Sequence, residues 1–477
     1  MIQVAVAWRT WAEHAARRRG GGGGSGGGSV RQSAARGGAS LPPEGGVTLA
    51  DVQSGGGADV VVFGGGSFGQ LGEGGAQFSL PPTALRGLRR LRVQAAACGE
   101  LHTALLTAAG EVFTFGVGEF GVLGHGTEER ALLPRRVEAL VGEAVVALSC
   151  GWRHTAALSA HAHLYTWGHG GAGQLGHGGT IHFFLPLRLQ PHAASSAPAS
   201  ASSDASSSAA SDADADADAD ADAPPPPPTT TWVQVSCGAR HTAALGEGAL
   251  AHTWGDGEHG QLGHGETERR AHPAPRPVAE LRGVRLLQIE CGAHHTAAVT
   301  AGGQLYTWGS GGFGQLGHGA QQGGGVPRAV AALRHLRVVR VACGAHTLAL
   351  TAQGELYSWG HGKQGQLGHG GSASEAAPRR VEALRHTRVV GLAGGHSHSL
   401  ALAEDDTVYT WGAASHGELG HPIATHQPTP RALAAVRGRR LLFAACGGTH
   451  TALLLGGRHR DRERDVAESG ATSDETS

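Results

Sequence analysis

Along most of the chain, apolar and polar positions alternate in bursts of about six residues, each cut off by a glycine-containing turn. In HTAALSA from His154, every second residue falls on a small or aliphatic face. A turn follows such bursts, as in Thr107–Gly110 and Thr351–Gly354, and then a β-rich stretch such as LYTW, a glycine-rich loop, and further short segments near Pro134–Leu140 and Arg337–Ala342. Period-two alternation with Gly-marked breaks predicts strands, and nothing sustains the 3.6-residue spacing of a helix.

The bursts recur. LYTWGSGGFGQLGHG from Leu305 is written, with variations, seven times, and the aromatic before its first glycine falls at Phe63, Phe115, Trp167, Trp254, Trp308, Trp359 and Trp411, with spacings of 52, 52, 87, 54, 51 and 52. A second motif, C-G-x-x-H-T, keeps step with it, its histidine at His102, His154, His241, His295, His346, His398 and His450. The copy at Cys343 is one residue shorter, and Gly394 replaces the cysteine in another. Four strands per unit of roughly 52 residues, seven times over, predict an all-β fold, a seven-bladed β-propeller.

The ends predict how the ring closes. The periodic region opens on VVVFG from Val60 with no C-G-x-x-H-T strand before it, and ends on THTALLL from Thr449 with no aromatic strand after it. The two halves complete one another, so Thr449–Leu455 should pair with Val60–Phe63 and the N- and C-terminal strands should share one blade.

Composition refines this picture at the margins. Residues 1–57 form a basic, glycine-rich tail, expected to be disordered. It holds Arg9, Arg17, Arg18, Arg19, Arg31 and Arg36 against Glu13 and Glu44 before residue 46. Contact with chromatin and import into an organelle are the alternatives for its role. The excess in the 87-residue interval lies at about 191–231, a Ser/Ala run leading into Asp212–Asp222 and Pro224–Pro228, expected as a disordered insertion in a propeller spanning 58–455. A charged, disordered tail is expected over 456–477. No apolar run reaches the ~18 residues of a membrane-spanning helix, and the net charge of −1 argues for no polyanion. The six cysteines occupy equivalent positions of successive repeats, where pairing is unfavourable, so free buried thiols are expected in a reducing compartment, cytoplasm or nucleus.

With both motifs in hand, residues 58–455 resemble the regulator-of-chromosome-condensation repeat family, whose units carry a W-G-x-G-x-x-G-Q-L-G core and a C-G-x-x-H-T strand. The resemblance implies a seven-bladed propeller. Its functions are diverse: the family includes the exchange factor for the small GTPase Ran, the plant ultraviolet-B photoreceptor, and modules of large ubiquitin ligases.

Several chemistries are poorly served by these residues. Gly168-Gly170-Gly173 and Gly360-Gly362-Gly365 match a dinucleotide fingerprint, but G-Q-L-G-H-G follows where a helix is required. The histidines of the second set, His125, His177, His264, His318, His369 and His421, fall one to a repeat, on separate blades, so no metal set is expected. No nucleophile–base–acid arrangement or cofactor motif stands out, and no enzyme activity or small-molecule substrate is expected. Seven short loops on a rigid ring instead suit recognition of partner proteins. Within C-G-x-x-H-T the middle pair varies while the frame stays, which singles out Glu100, Leu101, Trp152, Arg153, Arg240, His294 and Thr449 as contact candidates on one face. The leading expectation is a non-catalytic interaction scaffold. Guanine-nucleotide exchange on a Ran-like GTPase is the alternative, although the insertion offers no aliphatic or aromatic wedge. Ultraviolet-B reception is a second alternative, although G-W-R-H-T occurs once, at Trp152-Arg153.

Overall fold

The computed structural model describes residues 58–85, 88, 91–190, 231–265 and 270–458. The predicted N-terminal tail over 1–57, all but the last residue of the insertion expected at about 191–231, and residues 459–477 of the expected C-terminal tail lie outside the described residues.

Seven four-stranded antiparallel sheets stand around a central channel. Blade 1 contains β3 (Val93–Cys98), β4 (His102–Thr107), β5 (Val112–Gly116) and β6 (Ala131–Arg136), and blades 2 to 6 repeat this order through β26 (Gln427–Ala432). The only helical segments among the described residues are three-residue 3-10 turns, five of them between blades and two, Glu119–Gly121 and Glu247–Ala249, within blades 1 and 3. In every blade the first strand lines the channel, the fourth is the outer edge, and the C-G-x-x-H and glycine-rich loops emerge at the same end. That end is termed the mouth face, and the opposite end, which carries the 3-10 turns between blades, the far face.

Blade 7 is shared by the chain's two ends as the motif phase predicts. β28 (His450–Arg458) lies between β27 (Arg439–Cys446) and β1 (Asp59–Gly64), with Val60 opposite Leu454 and Phe63 opposite Thr451. It runs to Arg458, three residues past the expected end of the ring, because Arg439 binds the Leu455 and Gly456 carbonyls and the Asp59 carboxylate at 2.9 Å. The outer strands all carry proline, for instance Pro134, Pro186, Pro327, Pro378 and Pro430. Proline withholds a backbone donor and blunts these exposed edges against pairing with another chain.

The hydrophobic core is distributed in seven clusters, one at each blade interface. The frame aromatics lie there without solvent exposure. Each indole also makes a polar contact. Trp167, Trp254, Trp308, Trp359 and Trp411 donate Nε1–H to a backbone carbonyl of the preceding blade, at Val122, Gln174, Gln261, Gln315 and Gln366, over 2.8–2.9 Å. Phe63 and Phe115 fill the same position without a donor. Replacing Trp308 by phenylalanine should therefore cost only about 1 kcal/mol, because Thr296 still serves the Gln261 carbonyl, whereas alanine should cost about 3–5 kcal/mol. Urea unfolding of the two variants measures the difference.

The histidines of C-G-x-x-H-T are buried, and they close a circle. Nε2 of His102 lies 3.0 Å from Thr155 Oγ1 of the next blade; His154, His241, His295, His346 and His398 repeat this with Thr242, Thr296, Thr347, Ser399 and Thr451, and His450 returns to Thr103 at 2.8 Å. The hydroxyls already donate to a backbone carbonyl, as Thr103 does to Gln70 and Thr155 to Val122. Each hydroxyl then has only lone pairs left for the imidazole, which fixes Nε2–H as the donor. Burial holds six of these imidazoles at a pKa of about 3 and pushes His241 well below the usual value. The adjoining glycine is compulsory: a Cβ on Gly151 would drive into the His154 ring and the Gly238 carbonyl.

All six cysteines are free, and burial pushes their thiols up, Cys237 and Cys446 to about 12. Thiols so disfavoured as thiolates are inert packing groups.

Candidate functional site

The channel encloses about 300 Å3. One half of its wall is tied blade to blade by side chains: Gln234 exchanges two hydrogen bonds with the Ile289 backbone, Gln288 does so with Val341, and the Ser149 and Ser236 hydroxyls accept the N–H groups of Cys237 and Cys291. Glu290 and Arg340 continue this polar side, with burial raising the Glu290 carboxyl to about 7 against the opposing pull of Arg340. The Gln234, Gln288, Ser149 and Ser236 side chains of this wall thus serve the ring's own backbone, which leaves few of its polar groups for a ligand.

The mouth is different. Its backbone is stitched from loop to loop: Ala293 N–H donates to the Gly344 carbonyl, Ala345 to His396, His396 to Gly447 and Gly448 to Gly99. On this fixed rim the indole of Trp152 stands across the channel. It meets His294 edge-on at 5.5 Å and His396 at 5.7 Å, and His259 meets the other side of His294 at 5.0 Å. Three alternate blades, 2, 4 and 6, thus converge on one indole. Arg153 is exposed, 5.4 Å from the Phe120 ring centre and 4.0 Å from Glu119. Arg240 is exposed 4.0 Å from Asp256. At 4.0 Å these pairs exceed hydrogen-bond length, leaving both guanidinium forks available to a carboxylate.

The predicted residues do not all share this setting. Glu100 is half-buried beside Arg153, and desolvation raises its carboxyl above the usual range. Leu101 tucks into a small apolar cluster with Val117, Val122 and Leu123, and the Thr449 carbonyl accepts Gly65 N–H in the shared blade. Trp152, Arg153, Arg240 and His294 occupy the mouth, where His396 joins them from the same variable frame.

A second ring of side chains surrounds these, from a position the motif reading passed over: the residue before the glycine of G-Q-L-G. There stand Phe68, Phe120, His259, Phe313 and His416. Phe68 and Phe313 are 42% and 44% exposed, far beyond what a core residue would show. Phe120 packs edge-on against His169 and His182 at 4.7 and 5.0 Å, and Phe313 against His361 at 4.5 Å with Lys363 above its ring. The signal was available: this position also varies within a fixed frame. The second histidine set is structural, each imidazole bonding the hydroxyl of its own blade, as His177 does Thr166 at 2.8 Å. Among the described residues no group of three or more His, Cys, Asp or Glu could hold a metal ion.

A family model described as the RCC1-like domain matches residues 59–453. The chain is 31% identical over 379 residues to the ultraviolet-B receptor UVR8 of Arabidopsis thaliana, covering 79% of this chain and 78% of that protein. It is also 31% identical over 406 residues to the E3 ubiquitin-protein ligase HERC2 of Mus musculus, covering 84% of this chain but 8% of HERC2. Prp20p of Saccharomyces cerevisiae is similar in structure, with a TM-score of 0.70 at 22% identity over 87% of this chain and 95% of that one. The last likeness is one of fold.

Proposed function

The chain belongs to the RCC1-like domain family, and from that premise we propose that it is a non-catalytic interaction ring whose mouth face receives a partner protein. The observation that carries this reading is Trp152, half-exposed at the axis, between His294 and His396, on a backbone rim already hydrogen-bonded to itself. Aromatic and arginine side chains dominate binding energy when held rigidly, because little conformational freedom is lost on association. Arg153, Arg240, Phe120 and Phe313 surround the indole with such groups.

The W152A/R153A double variant should weaken partner capture at least about tenfold without moving the thermal midpoint, since neither side chain belongs to a blade-interface cluster. Undiminished binding would remove the mouth from consideration.

Exchange on a Ran-like GTPase is the alternative. It draws on Prp20p, whose structure was described together with its binding to Gsp1p and histones. Catalytic amounts of the protein would then accelerate release of labelled GDP from Ran, and that result would replace the scaffold reading. Ultraviolet-B reception, known for UVR8, has less support, because the rings touching Trp152 are imidazoles while the frame tryptophans are sealed between blades.

A further inference from the structure

On the far face, each junction between blades 3 and 7 carries the same short pattern directly after its 3-10 turn: LRGVR from Leu281, LRHLR from Leu333, LRHTR from Leu384 and VRGRR from Val436. The Leu or Val is buried and anchors the turn, while the following arginine stands in solvent. Arg282, Arg285, Arg334, Arg337, Arg385 and Arg437 are exposed, and none forms an ion pair among the described residues. Of the acidic groups on this face, Glu111, Glu355, Glu404 and Asp59 are taken by Arg136, Arg380, Arg388 and Arg439. Four consecutive blades therefore present an arc of unneutralised guanidinium groups on a fixed backbone, in a chain whose formal charge is −1. Fixed like charges left unpaired repel one another, and an anionic ligand relieves that cost.

We propose that this arc is a second interaction surface, separate from the mouth, and that its ligand is an acidic polypeptide segment. A nucleic acid fits less well. The exposed phenylalanines Phe68, Phe78, Phe184 and Phe313 all lie toward the mouth end of their blades, which leaves only the small imidazoles of His335 and His386 as exposed rings within the four patterns. Glu280 and Glu382, exposed on the same turns, interrupt the arc. A continuous phosphate backbone meets them as repulsion, whereas spaced carboxylates on a peptide pass them. Asp and Ala alternate from Asp212 to Asp222, between two strands whose connecting ends, Arg188 and Trp232, both lie on this face. The chain thus contains a sequence of the required chemistry, and it supplies the probe.

The test uses a fluorescein-labelled peptide with the sequence of residues 212–222, titrated into the full chain and into a chain whose six aspartates there are changed to asparagine, which removes any competing copy. Saturable binding is expected to at least one of them, weakening about tenfold or more from about 50 to about 300 mM salt. It should fall about tenfold in R282Q/R285Q/R334Q/R337Q and stay unchanged in W152A/R153A. Circular dichroism of the four-fold variant confirms that the ring is folded, as exposed positions allow. Absence of binding to both chains, indifference to the four-fold variant, or tighter binding of an oligothymidylate than of the peptide would each overturn the proposal. Because the mouth variant is read in the same titration, failure here leaves the mouth reading untouched.

Discussion

Acidified from pH 7 to about pH 5, the protein is expected to lose its β-sheet signal in one cooperative step. The cause is the histidine circle. Burial depresses all seven imidazoles, six to a pKa of about 3, against 6.5 for the unfolded chain. Above pH 6.5 both states are neutral and the stabilisation is fully present; as pH falls from 6.5 toward 3, only the unfolded chain takes up protons and stability drains away. At pH 5.5 the loss is about 1.4 kcal/mol per imidazole, or about 10 kcal/mol for seven, comparable with the whole net stability of many domains. Glu290 acts in the opposite direction. Its raised carboxyl destabilises the ring as pH rises toward 7, so acidification relieves at most about 2 kcal/mol, which does not compensate. Urea midpoints measured at several pH values give the number of protons bound on unfolding. A value below about three near pH 5.5 would mean that the imidazoles are not held neutral.

Removal of β28 should be more damaging still. A chain ending at Cys446 loses Leu453 and Leu455 from one interface cluster and Ala452 and Leu454 from the next, together with His450 and Thr451 from the circle. It also leaves β1 and β27 with bare inward edges. We expect no cooperative thermal transition and strong binding of a hydrophobic dye, whereas removal of residues 459–477 should leave the midpoint unchanged. A peptide of residues 447–458 added in trans should restore the transition. Cooperative melting of the shorter chain at its original temperature would show that the ring does not depend on closure.

Much of this architecture was legible because two motifs keep the same phase. Their offset places VVVFG beside THTALLL, and the register of Val60 with Leu454 follows. The buried histidine was legible as a group needing a partner, but not its partner, the hydroxyl of the next repeat's H-T or H-S. The mouth was half legible. Variation inside C-G-x-x-H-T pointed to Trp152 and Arg153, yet treated Leu101 alike, although an apolar side chain at that position turns inward upon Val122 and Leu123. Contact of Trp152 with His294 and His396 could not be read from neighbouring repeats, because blades 2, 4 and 6 meet only at the axis. The Phe120 and Phe313 positions were obscured by the glycines beside them, which drew attention to the turn rather than to what the turn displays.

The shared blade also sets an order of assembly. Blades 1 to 6 are each contiguous in sequence and can form as the chain leaves the ribosome, one upon another. β1 and the outer strand β2 (Ser79–Ala84) emerge before any of them, and must wait without their partner until some 390 further residues have been made. For all that time an apolar strand, Asp59–Gly64, has an open edge that only β28 can cover. A growing chain of this kind should depend on chaperones until synthesis has passed β28, and on them much less once the ring is shut.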